Sequence, residues 1–193
     1  VIEDAAEALG SSYQGEACGT LGDYGILSFN GNKIITTAGG GALICNTEHE
    51  HEKALYHAQQ AKSSSRVYEH ETIGYNYRMS NLCAALGRAQ LTALDQRLQG
   101  KKEIHQRYVN LAGQYAGISI YTLEDHLKAS GNAANHGSVT DALVSLTSGP
   151  DTSAQQKPNY WLNILCLDSE VCGLTPGQVI DELLGCFCLR GSI

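Results

Sequence analysis

Short apolar runs separated by glycine-rich turns fill the first 46 residues. Val1-Ile2 reads as the end of a buried strand, Tyr24 to Phe29 as a second strand and Gly41 to Cys45 as a third. Between the first two, DAAEALGSSY reads as a short helical or irregular turn. The period then lengthens. Thr47 and Glu50 have the T-x-x-E spacing of a capping box, which predicts a helix over 48–61. Ser80 is placed as the N-cap of another, with Leu82, Ala85, Leu86, Ala89, Ala93 and Leu94 on one face. Helical character carries on to about Leu111, with a break expected near Gly100. Residues 126–157, rich in Ser, Gly, Asn, Ala, Thr and Gln, read as a loop-like insertion; apolar spacing there is confined to Ala142–Leu146. Asn159 to Leu167 returns to strand, and Thr175-Pro176-Gly177-Gln178 opens a last helix with a second capping box. No repeat is visible. The order predicts an α/β sheet domain followed by a long helix and a smaller α+β lobe.

Charge and composition narrow the function classes. The 193 residues carry a net charge of −7 without a Lys/Arg cluster, which argues against nucleic acid and anionic membrane surfaces as partners. No run of about 18 apolar residues marks a membrane helix. Seven cysteines, an odd number without a C-x-x-C pair, read as reduced thiols in a cytoplasmic protein. In His49-Glu50-His51-Glu52 the i, i+2 spacing sends the imidazoles to different sides of a helix, so no metal is expected. The single methionine is Met79, and the chain opens on VIEDAA without a basic or apolar leader. The expectation is a segment from inside a longer gene product.

Several chemical motifs fail on spacing. Gly19, Gly22 and Gly25 form G-x-x-G-x-x-G where a dinucleotide turn needs G-x-G-x-x-G. Gly31-Asn32-Lys33 is followed by Ile34, where a Walker loop needs Ser or Thr. No G-x-S-x-G elbow occurs. What remains is Asp4 after a buried strand, Ser28 at the end of another, then Lys33 among Gly, Asn and Thr residues. A Schiff-base lysine must be partly desolvated so that its amine becomes nucleophilic. It also needs a carboxylate to hold a pyridinium nitrogen, a role open to Asp4, while Ser28 could bond a phosphate. On local grounds a solvated loop cation stays open for Lys33.

The blocks VIEDAAEALG, GTLGDYGILSFNGNKIITTAGGGALICN, GYNYRMSNLCAALGRAQL and KPNYWLN, in this order, resemble the DegT/DnrJ family of sugar aminotransferases. These are fold type I, pyridoxal-phosphate-dependent enzymes. SFNGNKIITT and NYWLN are most similar to the branch acting on 4-keto intermediates of nonulosonic-acid and diamino-sugar pathways. The resemblance is good over residues 1 to 115 and weaker over 157 to 183. It implies that 1–96 is the C-terminal half of the large cofactor-binding domain. Residues 97–193 would then hold the long helix and part of the small C-terminal domain.

By the same resemblance Lys33 forms the Schiff base with pyridoxal 5'-phosphate and, once released, moves the proton as general base and acid. Asp4 pairs with the pyridine nitrogen, Glu7 lies near the phenolic oxygen and Ser28 holds the phosphate. Asn76 reaches the phosphate of a neighbouring subunit, which makes the active unit a homodimer. Without the resemblance, Glu7 reads equally as a solvated acid, Ser28 as a strand-end hydroxyl and Asn76 as a turn residue. Dehydratase relatives carry histidine in place of this lysine, so Lys33 favours transamination. Glutamate is the implied donor and a nucleotide-linked keto-sugar the acceptor. The expected relatives are longer: an upstream half, with a phosphate-cradling helix N-terminus and a stacking aromatic, would precede Val1. Residues 126–157 and 185–193 do not resemble the family. A partial or frame-disrupted product that binds the cofactor poorly is therefore expected, and a second reading is a non-catalytic homologue that completes a neighbour's site through Asn76.

Overall fold

The first apolar runs pair into one sheet. In the computed structural model, whose described residues are 1–123, 125 and 156–190, the chain forms β1 (Ile2–Asp4), β2 (Ser12–Tyr13), β3 (Glu16–Ala17), β4 (Tyr24–Ser28) and β5 (Gly41–Cys45). β4 lies between β1, its parallel neighbour, and β5, its antiparallel one. Successive residues point to opposite faces of a strand, so Glu3, Gly25, Leu27 and Ile44 share one face while Asp4, Ile26, Ser28 and Leu43 share the other. The first face is covered by the turn at Gly19, whose N–H donates to the Glu3 carboxylate at 2.6 Å. The N–H of Leu21 donates to the other oxygen of that carboxylate. This packing demands glycine at position 25, because a Cβ there would lie 1.8 Å from the Gly19 carbonyl oxygen.

Beyond β5, α1 (Glu48–Ala58) starts with the expected reciprocal capping box between Thr47 and Glu50. It ends three residues before the predicted boundary, because Gln60 and Ala61 both adopt positive φ and turn the chain away. Ser80 caps α2 (Asn81–Leu91) as expected. The predicted break near Gly100 is instead at Thr92, whose hydroxyl donates to the Ala89 carbonyl while Ala93 N–H reaches only Gln90. α3 (Leu94–Ala112) then runs through Gly100 unbroken.

The apolar stripe of α2 is also not its packed face. Leu82 is 86% exposed and Leu86 44%. Gly87 is the buried residue, pressed so closely on Thr37 that a Cβ would come within 2.9 Å of the threonine methyl.

The described residues divide into two units, with the boundary between Lys101 and Lys102 inside α3. The first comprises 1–101 and 156–161, including β7 (Gln156–Lys157), which adds antiparallel to β2. Its buried side chains include Ala5, Ile34, Ile35, Thr37, Ala61 and Asn159. In the second, β6 (Ile118–Ile120) pairs antiparallel with β8 (Leu165–Leu167). α4 (Ser169–Cys172) and α5 (Pro176–Arg190) follow, and the predicted Thr175–Gln178 capping box opens α5.

The continuous strand predicted over 159–167 does not form. Asn159 spends its side chain on backbone groups, and Tyr160 has a φ of 53°, so only 165–167 is extended and paired. Of the loop-like insertion, 126–155 lies outside the described residues, whereas Gln156 and Lys157 are strand. Cys18, Cys45, Cys83, Cys166 and Cys172 are free thiols, and among the described residues no helix is long and apolar enough to cross a membrane.

Candidate functional site

Lys33 stands on a loop that the core holds at both ends. At its base, Phe29 N–H donates to Gly40 O, and Phe29 O accepts from Thr37 N–H and the Thr36 hydroxyl. Lys33 N–H closes a turn onto Asn30 O. The next two side chains, Ile34 and Ile35, are buried, which prevents the loop from swinging into solvent. α2 supplies the outer clamp: Gln90 accepts from Thr36 N–H and donates to Thr36 O at 2.6 Å. The apolar pair that follows Lys33 in NKIITT is thus buried while the lysine itself is presented.

The amine itself is not a free loop cation. Lys33 Nζ lies 3.1 Å from Glu7 Oε1 and 4.4 Å from the centroid of the Trp161 ring, and its side chain is only 14% exposed. Glu7 is 59% exposed. Trp161 donates its indole N–H to Asn32 O at 2.7 Å, so ring and amine are tied to the same loop. The structure therefore brings together Lys33 and Glu7 of the predicted residues, and adds Trp161.

Asp4, Ser28 and Asn76 make no hydrogen bond or ion pair with Lys33. Asp4 and Ser28 stand at the carboxyl ends of the parallel pair β1 and β4, on the same sheet face. That is the end of a sheet where α/β proteins place ligands. Asp4 accepts from Ala6 N–H, and Ser28 Oγ from Asn30 N–H. Asn76 is exposed in the segment after α1 and bridges Gln59 through the backbone. An amine with an acid beside it, plus a second acid and a hydroxyl at neighbouring strand ends, is a donor set that fits pyridoxal phosphate: a nucleophile, a partner for a ring nitrogen and a phosphate ligand.

Trp161 and Asn159 were absent from the residues predicted for the site. Their signal was the KPNYWLN block, yet nothing in its spacing tells which side chain returns to the lysine. Asn159, 7% exposed, donates to Glu7 O and Leu9 O and accepts from Trp161 N–H.

Burial, and then the Glu3 carboxylate beside it, push the Cys18 thiol up from its ordinary value, which lowers its thiolate fraction. A shallow pocket of about 330 Å³ along Gly117–Ser119 and Cys166–Asp168 belongs to the second unit and contains none of these residues. Among the described residues no His, Cys, Asp and Glu cluster could hold a metal.

Known proteins resemble the chain over much of its length. EpsN of Bacillus subtilis, whose name assigns it to the pyridoxal phosphate-dependent aminotransferases, is 52% identical over 183 residues, 95% of this chain and 39% of EpsN. GDP-perosamine synthase of Escherichia coli O157:H7 is 47% identical over 108 residues, 56% of this chain and 30% of the synthase. The chain thus spans well under half of the curated relatives it matches. The crystal structure of the aminotransferase TlmJ from Streptoalloteichus hindustanus shares the fold, with a TM-score of 0.66 at 24% identity over 88% of this chain and 38% of TlmJ. The DegT/DnrJ/EryC1/StrS aminotransferase family matches residues 1–143, and the chain belongs to that family.

Proposed function

We propose that the protein transfers an amino group, with glutamate as donor, to a nucleotide-linked keto-sugar, using pyridoxal 5'-phosphate held at Lys33. The observation that supports this reading is the placement of the Lys33 amine. It is largely withdrawn from water and paired with Glu7, and Asp4 and Ser28 stand at the ends of the parallel strands of the same unit. The relatives' names supply the substrate class: a GDP-linked amino sugar in one, a UDP-linked one in a transaminase of Campylobacter jejuni.

Bound pyridoxal phosphate supplies an aldehyde for imine exchange and a ring that withdraws the electrons of a substrate carbanion. Lys33 Nζ is the cofactor's amine partner and, when free, the group that takes and returns the substrate proton. Asp4 would hold the pyridine nitrogen protonated, Ser28 would bind the phosphate and Glu7 would lie near the phenolic oxygen. Asn76 reaches the phosphate of a second copy, so the working unit is a homodimer, in the cytoplasm. Residues 1–96 serve as the C-terminal half of its large domain and 97–193 as the long helix with part of the small domain.

The test is covalent capture. Treatment with excess pyridoxal phosphate and then borohydride should leave a phosphopyridoxyl group on the Lys33 peptide by mass spectrometry. Lys33→Ala should abolish both that label and transamination of a nucleotide-linked 4-keto-sugar. Transamination that survives in Lys33→Ala would overturn the reading.

A further inference from the structure

We infer that Trp161 is a positioning residue for Lys33: its ring and the Glu7 carboxylate form a two-sided holder for the ammonium of the free lysine. The inference rests on the reading of Lys33 as the cofactor lysine and concerns the part of the cycle in which Nζ is unbound. An unbound lysine is normally a poor candidate for a fixed position, since its four-carbon stem has many rotamers and its ammonium favours water. Here Nζ stays 3.1 Å from Glu7 Oε1 and 4.4 Å from the centroid of the Trp161 ring, with the side chain 14% exposed.

The two walls are built from one anchor. Asn159 donates to Glu7 O at 2.7 Å and accepts from Trp161 N–H at 3.0 Å, fixing the backbone of both residues. The indole is fixed a second time by its N–H to Asn32 O, and Trp161 O accepts from Lys101 Nζ. A carboxylate and the negative face of an aromatic ring attract the charged amine and have little hold on the neutral one. The pair therefore holds the ammonium of the free lysine in one place. Lys33 thus returns to one defined place between turnovers.

Trp161 is the single tryptophan of the chain, so its emission reports this contact alone. Lys33→Met should shift the emission of the cofactor-free protein, whereas Lys33→Arg, which keeps the cation, should leave it close to the parent. Reductive methylation with formaldehyde and cyanoborohydride, read on the Lys33 peptide, should run about 2- to 5-fold faster in Trp161→Leu, the factor expected for loss of one such contact. Trp161→Phe should restore the slow rate, since it keeps the face and loses only the bond to Asn32. Equal rates in parent and Trp161→Leu, or Trp161→Phe behaving like Trp161→Leu, would overturn the holder. Failure of pyridoxal phosphate to label Lys33 would overturn the proposed function; labelled Lys33 with unchanged methylation rates overturns the holder alone.

Discussion

Asn159 is the residue on which the lysine's surroundings converge. Its side chain satisfies Glu7 O, Leu9 O and Trp161 N–H, and its own N–H donates to the Ser11 hydroxyl. Removing the amide takes the partner from three part-buried backbone groups, and a polar group left unsatisfied costs about 1–3 kcal/mol. Asn159→Ala should therefore lower the unfolding free energy by about 2–4 kcal/mol in a urea titration, and Asn159→Asp, which turns a carboxylate oxygen toward the carbonyls of Glu7 and Leu9, should not recover it. Its partner at Glu7 lies 152 residues away in sequence, which is why no local pattern disclosed it. Lys33 was legible for the opposite reason: a lysine followed by Ile-Ile-Thr-Thr contrasts with its own neighbours, and Ile34, Ile35 and Thr37 are indeed buried.

Element starts were legible because capping is chemistry between residues three apart. Thr47–Glu50, Ser80 and Thr175–Gln178 all cap as the spacing requires. Element ends were harder, since α1 stops on the backbone conformation of Gln60 and Ala61 and α2 on a Thr92 hydroxyl, neither of which shows in hydrophobic period.

The first of these caps makes α1 sensitive to acid. The Thr47 hydroxyl, and to a lesser degree Tyr24, donate to the Glu50 carboxylate and hold its pKa below the usual 4.5. The Tyr24 hydroxyl is correspondingly pushed up. A carboxylate whose folded pKa is depressed contributes stability above its unfolded pKa and loses it as pH falls through the folded value. The first turn of α1 should therefore fray as the pH drops below about 4.5. Amide exchange at residues 49–51 should accelerate there relative to the intrinsic rate, and Glu50→Gln should remove this pH step. An unchanged profile in Glu50→Gln would assign the fraying to another group.

At the scale of the whole molecule, α2 presents a problem that its own unit does not solve. Leu82, Ala85, Leu86 and Ala89 form an uncharged outward face, opposite the face on which Gly87 meets Thr37. Leucines this exposed on one helical stripe mark a surface that something covers. The proposed homodimer supplies a second copy as the occupant, and the same segment of chain carries Asn76, the residue proposed to reach across. Two leucines at the centre of such an interface are worth about 1–2 kcal/mol each, and every 1.4 kcal/mol is tenfold in affinity. The double variant Leu82→Glu/Leu86→Glu should thus weaken self-association by about 100-fold or more in sedimentation equilibrium. Arg88→Glu, which changes charge off that stripe, should leave it near the parent value. The double variant should also lose the Asn76-dependent part of cofactor affinity, because a site completed by a second copy fails when the copies separate. A parent that sediments as a monomer at every concentration would remove α2 as an interface, and Asn76 would then have no site to reach.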